Sequence, residues 1–103
     1  MRVMLKVTIP VDAGNAVTKA GTMTETIRSL LADMKPEAVY LTLDGGQRAL
    51  YIFLDLQDSS DLARLGEPWF LALNASLEWC PVALPEDLAK AGPSIEKAAK
   101  KYL

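Results

Sequence analysis

A chain of 103 residues, half of them hydrophobic and 23% charged, is long enough for one domain with its own core and too short for two ordinary ones. A formal charge of -2 offers a nucleic acid no electrostatic footprint, and a single cysteine, Cys80, excludes an intrachain disulfide and a cysteine-clustered zinc site. No apolar run approaches the length of a membrane span, so neither nucleic acid nor membrane is expected as a partner, and a cytoplasmic location is.

Val3, Leu5, Val7, Ile9 and Val11 alternate with Met4, Lys6, Thr8 and Pro10, the period of two that marks a strand. Lys6 and Pro10 interrupt any continuous apolar stretch, so this N-terminus reads as a strand and not as a signal peptide. Residues 12–21, DAGNAVTKAG, can open with Asp12 as a cap. With Gly14 and Gly21 they fit a short helical turn and a structured loop equally well. Thr22 and Glu25 are spaced as a capping box. Ile27, Leu30, Leu31 and Met34 then form one apolar stripe of a helix, which Lys35-Pro36 ends by pushing the chain out of the helical region.

Residues 39–56, VYLTLDGGQRALYIFLDL, read as a hairpin turning at Gly45-Gly46. That turn sets Asp44 opposite Gln47, Thr42 opposite Ala49, Tyr40 opposite Tyr51 and Val39 opposite Ile52. The register sorts Val39, Leu41, Leu43, Leu50, Ile52 and Leu54 onto one face, and Tyr40, Thr42, Ala49, Tyr51, Phe53 and Asp55 onto the other. The aliphatic face belongs against helices.

Residues 59–73, SSDLARLGEPWFLAL, carry Leu62, Leu65 and Trp69 at helical spacing after a capping Asp61, with Gly66 and Pro68 expected to bend or split the helix. Residues 75–82 alternate again, and Pro81, which cannot donate to a ladder, places this strand at a sheet edge. In the tail, Pro85, Glu86 and Asp87 suit a helix start. Gly92-Pro93 suits its stop, and Ser94 can cap a second piece over 95–102.

Strand, helix, strand, strand, helix, strand is the split βαβ pattern of an α+β, ferredoxin-like sandwich: an antiparallel sheet of order 4-1-3-2 with both helices on one face. It is expected to span residues 1–84, followed by a helical tail over 85–103. The order of elements, the bend at EPWF, the NAS leading into the last strand and the PEDLAKAG after it resemble small uncharacterised bacterial proteins of the dimeric α/β-barrel superfamily over about residues 1–92. The resemblance implies a homodimer in which two sheets face each other. The superfamily includes cofactor-independent monooxygenases, lactone isomerases and haem-handling enzymes, and no active-site pattern of theirs maps onto this chain residue by residue.

The residues argue for a homodimer without that resemblance. The helix-free face would carry Met4, Lys6, Thr8, Tyr40, Thr42, Ala49, Tyr51, Phe53, Asp55, Ser76, Glu78, Cys80 and Val82. Four strands about five residues long cover roughly 300 Å² in projection, from ~4.8 Å between strands and ~3.3 Å per residue. The accessible area is larger, and exposed it would rival the largest patch of a typical monomer, about 300–600 Å². A stable interface removes about 1,200–2,000 Å² in total, so the tail is expected to add area by reaching over the partner.

The chain has no histidine, which removes imidazole haem ligation, the usual Ser-His and Cys-His pairs and most zinc sites; no metal or cofactor is expected. Asp55, Asp58 and Asp61 read as solvated turn and cap residues, and Asp44-Gly45-Gly46 as a turn. Lys6, on a central strand of the helix-free face, would lose proton affinity in a partly desolvated pocket and serve as a base or anion ligand; the competing reading pairs it with Glu78 across the neighbouring strand. Lys6, Glu78, Tyr40 and Tyr51 are the catalytic candidates. Thr8, Thr42, Phe53, Asn15 and Lys19 join Lys6 and the tyrosines as ligand contacts, with packing at a dimer seam as the alternative for the aromatics. Cys80 reads as a buried, inert thiol. Three functions stay open: a homodimer binding a small, partly apolar molecule, a cofactor-free proton-transfer enzyme, and a structural dimer without ligand.

Overall fold

In the structure, a computed structural model that describes residues 1–103, β1 (Arg2–Ile9) buries Val3, Leu5, Val7 and Ile9 and leaves the side chains between them half-exposed. The alternation is the one its sequence predicts. The chain then departs from expectation. Residues 12–21 are neither a lone turn nor a loop, since α1 (Val11–Lys19) is a full nine-residue helix entered from Pro10. Gly14 is buried within it because the Arg48 guanidinium lies over its Cα, where a Cβ would collide with that side chain. A glycine that lowers helix propensity in isolation is thus required by a neighbour 34 positions away.

In α2 (Met23–Ala32) the expected capping box does not form. The Thr22 hydroxyl donates instead to the Val17 carbonyl at 3.4 Å, closing the end of α1, and Glu25 pairs with Arg28 at 3.0 Å. Ile27, Leu30 and Leu31 pack on the core as their spacing predicts. Met34 is buried just past the helix end, where Lys35 turns through a φ of 48° ahead of Pro36.

β2 (Ala38–Asp44) and β3 (Gln47–Asp55) pair in the predicted register at every position from Asp44↔Gln47 to Val39↔Ile52. Gly45 and Gly46 both take positive φ, 57° and 78°, which tight hairpin turns demand and side-chain-bearing residues resist. The aliphatic face of β2 is only partly covered, however: the helix layer reaches Val39, whereas Leu41 and Leu43 are each 73% exposed. β2 is an edge strand, and its far end lies beyond the helices.

α3 (Asp61–Leu73) runs unbroken through Gly66 and Pro68. Gly66 is needed where α3 crosses the last strand, since a Cβ there would stand 3.0 Å from Leu77 and 3.6 Å from Trp79. Asp61 is not a solvated cap. It is 8% exposed, accepts the Gln57 amide at 3.1 Å and is bound by Arg64 at 3.0 Å. β4 (Ser76–Pro81) pairs with β1 alone, Pro81 closing the ladder opposite Val3.

The four strands form one antiparallel sheet in the order β2-β3-β1-β4, which is 4-1-3-2 read from the other edge. Leu5, Val7, Ile9, Leu50, Ile52 and Leu54 from the sheet and Leu65, Trp69 and Leu73 from α3 make the centre of the core. The Trp69 ring is fully buried and its Nε1–H has no hydrogen-bond partner.

The tail also differs from expectation, for α4 (Pro85–Lys101) is one helix that continues through Gly92 and Pro93. Pro93 leaves the Ala89 carbonyl without its helical donor, but this stretch of α4 is exposed, so water can satisfy the oxygen. Asp87 caps the start by accepting the Leu84 amide at 2.8 Å. No residue of α4 is buried. The helix projects from the body, giving extents of 60 × 28 × 19 Å and a radius of gyration of 17.5 Å, against about 13 Å for a compact chain of this length.

Candidate functional site

The helices leave one sheet face uncovered, and the strand register arranges its side chains in three rows. Ser76, Thr8, Ala49 and Thr42 lie side by side at one end. Glu78, Lys6, Tyr51 and Tyr40 form the middle row, and Cys80, Met4, Phe53 and Ala38 the third. The face therefore grades from hydroxyls, through a charged and phenolic band, to apolar groups. Alternation along each strand and the Gly-Gly register produce this gradient without any special geometry.

Lys6 lies at the middle of this face, with 21% of its side chain exposed. Its Nζ pairs with Asp44 on β2 and stands 4.0 Å from Glu78 on β4, so one ammonium joins carboxylates from the two edges of the sheet. In the register the path from Lys6 to Asp44 crosses Ala49, which is 2% exposed and has only a methyl group to obstruct it. The hydrogen bond with Asp44 raises the affinity of Lys6 for its proton, desolvation opposing it. Of the two readings of Lys6, this favours the paired ammonium over a lysine of lowered proton affinity. Asp44, read from sequence as a turn residue, shares the parity of Tyr40 and Thr42 along β2, and that parity places it on the helix-free face.

Tyr40 and Tyr51 are direct cross-strand neighbours. Tyr40 also meets Phe53 edge to face, with ring centroids 6.3 Å apart and planes at 83°, a favoured aromatic arrangement. Beside them, Arg2, Glu37, Ala38, Tyr40, Phe53 and the 82–84 segment line a groove of about 520 Å³, within the size range of small-molecule sites. At one rim the Arg2 Nε–H is shared between the two carboxylate oxygens of Glu37, at 3.1 and 3.0 Å. Tyr40 remains 62% exposed.

The other candidates separate. Asn15 and Lys19 lie on α1: the Asn15 side-chain oxygen accepts from Arg48 at 3.0 Å, and Lys19 is exposed in the last turn. Neither joins the groove. Cys80 is exposed on the helix-free face of edge strand β4, not buried.

A second cavity, about 580 Å³, lies among the ends of α2 and β3 and the start of α3, lined by Asp33, Lys35, Glu37, Asp55, Asp61 and Arg64 among others. Its carboxylates are engaged separately: Asp61 with Arg64, and Asp55 with the N-terminal amine at 2.9 Å. Asp58, nearby, bonds Ser60. Hydrogen bonds from these partners hold all three carboxyls below their ordinary range. No helix of the chain is long and apolar enough to cross a membrane. No family model matches the chain, and no curated protein is significantly similar to it in sequence.

Proposed function

We propose that the protein is a ferredoxin-like module of the dimeric α/β-barrel kind, in which the helix-free sheet face closes on that of a second copy and the groove at Tyr40 and Phe53 takes a small, partly apolar molecule. The observation that carries this is the graded face itself. An apolar groove walled by an aromatic pair suits a small ligand with an apolar body, the Lys6 charge one row away being already matched by Asp44 and Glu78. The face has no cover within the chain, and closing two copies over it would withdraw the aromatics from water.

Proton-transfer catalysis is the weaker alternative, because Asp44 keeps Lys6 charged and no histidine is available to replace it. The test uses a neutral aromatic fluorophore, N-phenyl-1-naphthylamine, titrated against the wild type and Tyr40→Ala. Binding is expected, weakened about tenfold, or ~1.4 kcal/mol, by loss of one aromatic wall of the groove, with the sedimenting mass unchanged. No binding to the wild type, or equal binding to both proteins, would overturn the ligand reading and favour a purely structural dimer.

A further inference from the structure

α4 and the residue before it carry an apolar stripe that their own chain leaves largely uncovered. Leu84, Leu88, Ala91, Ile95, Ala98 and Tyr102 are separated by 4, 3, 4, 3 and 4 residues, the spacing of a coiled-coil seam. Leu88 is 66% exposed and Tyr102 76% exposed. Charge is divided between the two ends of the same helix, with Lys90 and Glu96 between them. Glu86 and Asp87 occupy the first turn, and Lys97, Lys100 and Lys101 the last two.

These two patterns choose a partner and a direction. A parallel pairing with a second copy would set Ala91 on Ala91 and Ala98 on Ala98, leaving gaps, and would bring lysines against lysines. An antiparallel pairing sets Leu88 opposite the partner's Ala98 and Ala91 opposite the partner's Ile95, large against small in the inner layers, with Leu84 opposite the partner's Tyr102 at the two ends. It also brings Asp87 beside the partner's Lys101, twice by symmetry, and lays each acidic end against the opposing basic end. Helix dipoles run in opposition in the same arrangement. Pro93 falls on the side away from the seam, where its missing donor disturbs no contact.

We infer that α4 pairs antiparallel with the α4 of a second copy, extending the two-fold contact of the sheet faces; the inference rests on the homodimer proposed above. A helix of 17 residues is about 25 Å long. An interface built on the sheet face alone is short of the usual area, and a paired α4 adds to it.

The test uses two full-length variants in a Cys80→Ser background, one with Leu88→Cys and one with Ala98→Cys. Both sites are exposed, so the body keeps its packing. Under mild oxidation neither variant alone is expected to form a disulfide-linked dimer, because like positions lie about 15 Å apart in the antiparallel pair. An equimolar mixture is expected to give the linked heterodimer. Linkage of each variant with itself, or no linkage while the protein sediments as a dimer, would overturn the antiparallel pairing and leave the sheet-face contact standing. A monomer under all conditions would overturn both. As a measurement without cysteines, Lys101→Glu is expected to raise the dimer dissociation constant about fivefold at low salt, an effect that shrinks at high salt; no change at low salt would count against the ion pairs that set the direction.

Discussion

Single side chains in this protein are fixed by partners that the hydrophobic pattern does not reveal, near in sequence as well as far. Asp61 shows this best: on sequence it is a helix cap, and in the fold it is a buried acceptor tying the 57–58 loop to α3 while Arg64 neutralises it. Arg64 holds the Asp61 carboxyl below its ordinary range, and Ser60 and the N-terminal amine do the same for Asp58 and Asp55. A carboxyl whose folded value is depressed stabilises the fold above the unfolded value near ~4 and loses that contribution as pH falls through the folded value. The fold is therefore expected to weaken below about pH 4. Urea midpoints at neutral and acid pH test the assignment. Asp61→Asn should lower the neutral midpoint and make the acid decline shallower, whereas a parallel decline in variant and wild type would place the acid sensitivity elsewhere.

At the scale of elements, α3 supplies the heaviest contact with the sheet through Trp69, and it does so with an orphaned indole N–H. Trp69→Ala is expected to cost about 3–5 kcal/mol, as for other large core truncations. Trp69→Phe should cost well under half of that, because it keeps most of the apolar volume and removes an unpaired buried donor. Denaturant titration distinguishes them, and similar losses for both variants would mean that the indole nitrogen has a stabilising partner after all. The hairpin β2–β3 was readable in full, since two glycines fix a turn and a turn fixes a register. The identity of the helix-free face followed from that register, and with it the placement of Lys6, Tyr40, Tyr51 and Phe53. α1 and α4 were not readable in the same way. Gly14 looks like a loop residue until Arg48 is seen above it, and Gly92-Pro93 looks like a stop until the helix proves to be solvated, where one unpaired carbonyl costs little. The exposure of Leu41, Leu43 and Cys80 was hidden for a related reason: alternation assigns a face but not how far the covering layer extends.

The molecule as a whole is elongated and leaves two surfaces without cover. Its core lies between the sheet and α2 and α3, one sheet face is bare, and an amphipathic arm extends away from the body. The sheet face grades from hydroxyl to apolar groups, and the α4 stripe carries large and small side chains between ends of opposite charge. In the proposed homodimer both surfaces are buried against one copy, which would bring the contact toward the area that lasting interfaces use and enclose the groove at Tyr40 and Phe53. Sedimentation equilibrium of the full-length protein at micromolar concentration examines this most directly. A species of twice the 11.2 kDa chain mass is expected, and a single 11.2 kDa species across the concentration range would contradict the assembly and the enclosed groove together.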